Sequence, residues 1–392
     1  MIYLDNNATT RIAPEVLDAM TPFLDGGYGN PSSAHAVGRL AKAAVDNARG
    51  SVAALLGAAN EDEIVFTSCG TESDNWAILG AIGDEPAGRH IVTTVVEHDA
   101  VRKVCAGLEK RGCEVTWLGV DSGGALDLDE LRDALRPETR LVSIMLANNE
   151  TGVLFPVKAA AEIVKENSKA LFHVDGVNAV GKVPIDLKDT RIDLFSLSAH
   201  KFYGPKGIGS LYIRRGVELP SSMIGGGQER GRRAGTEAVH QVVGLGAAAS
   251  LVADTSKMNG IRQMRDALER GILDGIPETL LNGTSDPSKR LPNTSNISFA
   301  NTNGEMIMAL LDNAGICVST GSACHSQGHE ASGVLQAMDV PYAYAMGSIR
   351  FSFGRFNQSS DVDEVLATLP GIINKLREIG GNFQTASSET GR

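Results

Sequence analysis

Ser196-Leu-Ser-Ala-His200-Lys201-Phe-Tyr-Gly204-Pro205-Lys206-Gly207-Ile-Gly209 is the stretch whose reading decides the fold. Residues 192–197 read as a buried strand that ends in small and polar side chains, followed by a lysine and a Gly/Pro turn into a second apolar strand. A lysine so placed stands at the mouth of a sheet. Desolvation there lowers an amine's pKa and makes it a nucleophile, and Schiff-base formation with an aldehyde is one use of such an amine. A surface lysine before a turn fits the same pattern, and this stretch alone leaves the two readings even.

About one βα unit upstream, Leu171-Phe-His173-Val-Asp175-Gly176 repeats the design, a short apolar run that ends in an aspartate. A carboxylate held near a heteroaromatic nitrogen keeps that nitrogen protonated and makes the ring an electron sink. Paired with a Schiff-base lysine, it is the signature of pyridoxal phosphate. An aspartate capping the next helix is the competing reading, and it weakens once Asp175 and Lys201 sit on neighbouring strand ends.

The chain of 392 residues is long enough for two domains, and with 42% hydrophobic residues it can bury large cores. A net charge of −11 disfavours nucleic acid and anionic membranes as partners. The five cysteines, Cys69, Cys105, Cys113, Cys317 and Cys324, are odd in number and form no CxxC pair. They argue against a disulfide framework or structural zinc and for a reducing compartment. An apolar segment at residues 2–4 with no leader before it, and no apolar run of about 18 residues, set the expectation of a cytoplasmic protein without a membrane span.

Other segments carry weaker signals. Ser32 and Ser33 are expected to cap a long helix through Leu56 with Arg39, Lys42 and Arg49 on its solvated side. The strand at 64–67 leads into Ser68-Cys-Gly70-Thr71-Glu-Ser73, which reads as a phosphate cradle at a helix start or as a capping box of Thr71 with Asp74. The strand at 91–96 ends in Glu97-His98, and a lone histidine there is more often a satisfied polar residue than a catalyst. The strand at 141–147 ends in Asn148-Asn149-Glu150-Thr-Gly152, neutral amides able to donate to an oxyanion or to form a plain turn. From about 258 the pattern becomes strand, helix, strand, helix, with strands at 296–299 and 349–353 and helices at 306–313 and 362–376. Residues 381–392 are polar and read as a disordered tail.

Two further features bear on chemistry. Gly321-Ser-Ala-Cys324-His325-Ser-Gln-Gly328 puts one thiol on a polar, glycine-rich loop, where a swinging nucleophile would sit; an incidental exposed cysteine is the alternative. Arg350, inside an apolar strand, needs an anionic partner, and an α-carboxylate or an internal salt bridge would serve.

Taken with Tyr3-Leu-Asp-Asn-Asn-Ala-Thr-Thr10, Asn30-Pro-Ser-Ser33, Thr71-Glu-Ser-Asp-Asn75, Gly225-Gly-Gly-Gln-Glu-Arg230, Arg233-Ala-Gly-Thr-Glu237 and Ser348-Ile-Arg350-Phe-Ser-Phe-Gly354, these strings run in family order over nearly the whole chain. It resembles the cysteine desulfurases of the NifS/IscS type. The resemblance implies an α/β protein of the fold type I pyridoxal-phosphate transferases. Its large domain, residues 15–257, would carry a mainly parallel seven-stranded sheet. A smaller α+β domain, residues 1–14 and 258–380, would carry the cysteine loop.

The resemblance also implies roles. Gly70, Thr71, Ser198 and His200 would hold the cofactor phosphate, joined by Thr236 from the partner of a homodimer. Lys201, Asp175, His98 and Asn178 would meet the ring, with Asn149 touching cofactor and substrate. Arg350 would hold the carboxylate of L-cysteine, and Cys324 would take its sulfur as a persulfide for an acceptor such as an iron–sulfur scaffold protein. The expected reaction yields L-alanine. Selenocysteine lyase, cysteine-sulfinate desulfinase and sulfur donation to tRNA or DNA are the alternatives on the same scaffold. No metal set belongs to the chain itself, although Cys324 can be pictured as a shared cluster ligand at a scaffold interface. Three positions depart from the family: Asn178 stands where Gln is usual, His325 where Ser or Thr often follows the cysteine, and Cys69 where a small residue is typical.

Overall fold

The computed structural model describes residues 1–320 and 331–389, with side chains through 379. After β1 (Ile2–Tyr3) come β2 (Ile64–Thr67), β3 (His90–Thr94), β4 (Glu114–Leu118), β5 (Thr139–Ser143), β6 (Leu171–Asp175), β7 (Leu194–Ser198) and β8 (Gly209–Ile213). These seven form one sheet in the order β2-β8-β7-β6-β5-β3-β4, in which β3 to β7 pair in parallel and β8 runs antiparallel to both of its neighbours. The apolar strands follow from this topology. Helices cover both faces, so Phe172, Val174, Phe195 and Leu197 pack into one core while Ile91, Leu141, Leu194 and Leu211 pack into others. Gly176 is required just after β6, because a β-carbon there would stand 1.9 Å from Phe195 Cζ.

The second assembly contains β9 (Thr279–Leu281), β10 (Thr294–Phe299), β11 (Ile316–Cys317) and β12 (Ser348–Ser352). An antiparallel sheet in the order β12-β10-β9 packs against the Met258–Gly275, Gly304–Asn313 and Ser359–Glu389 helices around Leu268, Ile297, Phe299, Phe351 and Leu369. Strand β1 pairs with β11, so the first residues of the chain belong to this core. Asn6 and Asn7 then bond Ser352 and carry the chain across to the large sheet.

Three local expectations change. The long helix is Ala36–Leu56 and His35 caps it, its ring accepting from Gly38 N at 3.2 Å, because the turn at residues 31–32 and the irregular residues after it hold Ser32 and Ser33 outside the helix. Arg49 is not solvated: it is 6% exposed and forms a bidentate pair with Glu229 at 2.7 Å. The sequence pattern could not reveal a partner so far along the chain. The last helix continues to Glu389, into the polar stretch read as a disordered tail; adding a residue to an existing helix is far easier than starting one. No helix among the described residues is long and apolar enough to cross a membrane.

Candidate active site

The carboxyl ends of the parallel strands bring the sequence-selected residues together, as open α/β sheets do. Asp175 closes β6 and Ser198 closes β7, and one 3-10 turn, Ala199–Lys201, delivers the lysine. A cavity of about 310 Å³ is lined by Lys201, His98, Asn149, Asn178, Arg350 and Asn7, among others. Lys201 Nζ donates to the backbone carbonyls of Asn7 at 2.6 Å and Ala8 at 3.0 Å. His98 caps the Asp99–Glu109 helix, its Nδ1 accepting from Ala100 N at 3.1 Å, which fixes the ring against the cavity.

Beneath Asp175 lies a buried polar layer. Register places Ser143 beside His173 and Asp175 beside Ser196, and His173 bonds Ser143 Oγ and Ser196 Oγ, each at 2.9 Å. Asp74, from the Gly70–Ile82 helix, approaches His173 Nε2 at 3.5 Å. Burial pushes His173 down to about 3, so the imidazole is neutral. Burial and the neighbouring Asp175 push Asp74 well up, with only a hydrogen bond from Ser196 opposing them. Burial also raises Asp175, against the pull of His98, the Val177 N–H and Lys201. Of the two carboxyls, only Asp175 has His98 and Lys201 pulling it down.

Arg350, on β12, donates to Asn149 O at 3.0 Å and to Asp5 Oδ1 at 2.7 Å, while its Nε has no partner among the described residues. The internal salt bridge offered for this arginine is present, and the same side chain lines the cavity. The Gly70–Ile82 helix starts at Gly70 without a side-chain cap, so the alternative reading of Thr71 with Asp74 as a capping box does not hold and the first amides of the helix have no side-chain cap. Gly70 packs tightly there, a β-carbon falling 2.6 Å from Val177 Cγ2. His200 bonds Thr9 Oγ1 at 3.1 Å, and burial with Lys201, Lys206 and Lys182 nearby lowers it to about 4. Thr236 is exposed and does not line its own chain's cavity. Cys324 and His325 lie outside the described residues.

Several neighbours escaped the sequence reading. Glu97 accepts from Thr94 Oγ1 at 2.8 Å and Met145 N at 3.0 Å, and burial raises it to about 8. Glu150 is bonded by Ser332 Oγ and raised by burial to about 7, with Arg350 and Arg102 opposing. Lys182 is buried, donates to Asn7 Oδ1 at 3.0 Å, and is held well below the usual lysine range by burial and by Lys201 and Arg350. Glu97 and Glu150 adjoin the selected His98 and Asn149, a signal that could have found them; Lys182 offered none.

The donor set fits a phosphorylated aromatic aldehyde. An amine and a carboxyl sit on adjacent strand ends, Ser198 Oγ and Asn178 Oδ1 are buried without hydrogen-bond partners among the described residues, and an uncapped helix start lies beside the same strand ends. Among the described residues no cluster of metal-ligating side chains occurs.

Comparison with known proteins agrees with this geometry. The aminotransferase class-V family model matches residues 2–365. Cysteine desulfurase 2 of Trichormus variabilis is 52% identical over 380 residues, covering 97% of this chain and 94% of that protein. Among solved structures, a NifS-like protein superposes with a TM-score of 0.89 at 39% identity, covering 96% of this chain and 100% of that one. The structure of SspA in complex with cysteine gives 0.81 at 32% identity over 91% of this chain and 100% of that one. By sequence, fold and donor set together, this chain belongs to the class-V aminotransferase family of pyridoxal-phosphate-dependent enzymes, within its NifS-like cysteine desulfurase branch.

Proposed function

We propose that the protein converts L-cysteine to L-alanine and carries the released sulfur as a persulfide on Cys324 before an acceptor thiol takes it. The observation that carries this reading is the convergence of Lys201, Asn149, Asn178 and Arg350 on one cavity at the carboxyl ends of the strands, with Asp175 buried at the same ends. Bound there, pyridoxal phosphate supplies an electron sink for bonds at the substrate's α-carbon.

The chain's own groups would do the rest. Lys201 would hold the cofactor aldehyde and afterwards move the α-proton with its amine. Asp175 would keep the ring nitrogen protonated, His98 would lie over the ring, and Asn178 would bond its phenolic oxygen. Gly70, Thr71, Ser198 and His200 would bind the phosphate, with Thr236 contributed by the partner of a homodimer. Arg350 and Asn149 would orient the substrate carboxylate, and the Cys324 thiolate would attack the substrate sulfur. The two cores correspond in this reading to a large unit at 15–257 and a small one at 1–14 and 258–380. A cytoplasmic sulfur donor serving iron–sulfur assembly follows from the same reading.

Cys324→Ser tests it. The variant should bind the cofactor normally and form no persulfide; retained sulfur release from L-cysteine would defeat the assignment.

A further inference from the structure

Arg102 lies on the Asp99–Glu109 helix one turn beyond His98, its N–H bonding the His98 carbonyl at 3.0 Å. It lines the same cavity as Lys201 and Arg350, and it also lines an adjoining cavity of about 300 Å³ with Val95, Lys103, Ala106 and Trp117. Its Nη1 stands 3.6 Å from the place of a β-carbon on Gly333, across the mouth from its own helix.

The charges around it are otherwise matched. Asp5 pairs with Arg350 at 2.7 Å, and Asp99 pairs with Lys103 at 2.8 Å, with Arg102 adding a weaker pull on the same carboxylate. Glu97 and Glu150 are both raised by burial, to about 8 and about 7, the second against the pull of Arg350 and Arg102. Arg102 forms no salt bridge with any described residue. A half-buried guanidinium in that position attracts an anion, because low dielectric strengthens the pull and its fork of donors suits a small oxyanion or thiolate.

Building on the desulfurase reading, the remaining anion can be identified. An amino acid would place its α-carboxylate on Arg350 and its amine towards Lys201, which leaves the side chain as the part that meets Arg102. We infer that Arg102 is a specificity-determining residue that binds the anionic sulfur group of the substrate, so that the site selects β-substituted alanines whose substituent is a thiolate or a sulfinate over those whose substituent is neutral. A cysteine thiol with an ordinary pKa near 8.5 would be drawn towards its thiolate on binding.

The test is calorimetric binding of two amino acids to the cofactor-loaded protein: L-cysteate, whose side chain is a permanent anion, and L-serine, whose side chain is neutral. Arg102→Met should weaken L-cysteate about tenfold and change L-serine by less than about twofold. Arg102→Lys, which keeps the charge, should retain most of the L-cysteate affinity, and both variants should melt as the parent does. Equal weakening of both ligands, or no weakening of either, would overturn the assignment. Turnover of L-cysteine by the parent protein is read separately: its absence would remove the desulfurase reading, while a cysteate preference erased in Arg102→Met would still establish the anion site.

Discussion

Lys201 and Asn7 are joined through the backbone, Lys201 Nζ donating to Asn7 O at 2.6 Å. The side chain of the same Asn7 accepts from Lys182 at 3.0 Å and Asn293 at 3.0 Å, and donates to Thr294 at 2.8 Å. One buried asparagine thus ties the reactive amine to a second amine and to the β10 side of the molecule.

Asn7→Ala takes the Asn7 Oδ1 acceptor from the buried Lys182 amine and one bond each from Asn293 and Thr294, which keep Phe353 O and Asn293 Oδ1. We expect a loss of about 2–3 kcal/mol of stability, measured by urea unfolding of the cofactor-free protein. An unchanged midpoint would show that water replaces the side chain at no cost.

Glu97 makes stability depend on pH in a definite direction. Its folded pKa, about 8, lies above the ordinary value of 4.5, so the folded state keeps a proton that the unfolded state loses. The stabilising contribution is complete below about 4.5 and disappears as pH rises through about 8. Unfolding midpoints should therefore fall across this window, and Glu97→Gln should flatten the decline. A variant with the parent's full pH dependence would place the effect elsewhere.

Arg350→Ala should raise the KM for L-cysteine about a hundredfold, the worth of a charged hydrogen-bonded grip, while cofactor absorbance stays unchanged. Asp5→Asn, which removes only the charge that steadies Arg350 at 2.7 Å, should raise KM less. Steady-state kinetics alongside the visible spectrum separate substrate binding from cofactor loss.

The pair of Arg49 and Glu229 is buried at both ends, and Glu229 also accepts from Phe66 N at 3.0 Å. Glu229→Ala would leave the guanidinium uncompensated, costing about 3–5 kcal/mol. The double variant Arg49→Met with Glu229→Ala should recover part of that loss. Unfolding curves of the two variants decide it.

Much of this site is legible in the sequence because its residues sit where local pattern changes. Asp175, Ser198 and Lys201 mark strand ends, and Gly70 marks the strand-to-helix turn, positions that apolar runs and glycines announce. What the pattern hides depends on partners far along the chain. Arg49 reads as a solvated helix residue until Glu229, 180 residues later, is seen against it. No local pattern marks Lys182 as buried beside Asn7, and Asp74, read as a capping partner of Thr71, lies against His173 of β6 instead. Helix length failed for a related reason: propagation past Leu376 follows from an established helix rather than from the polarity of its last residues.

The central claim is that Lys201, Asp175 and Cys324 serve one reaction, and its most direct measurement is a visible spectrum of the purified protein before and after L-cysteine, with alanine and sulfide quantified together in the presence of a reductant. A cofactor band that changes on addition, alanine equal to sulfide, and loss of that band in Lys201→Ala are expected. A colourless protein, or a band that L-cysteine leaves untouched with no alanine formed, would contradict it.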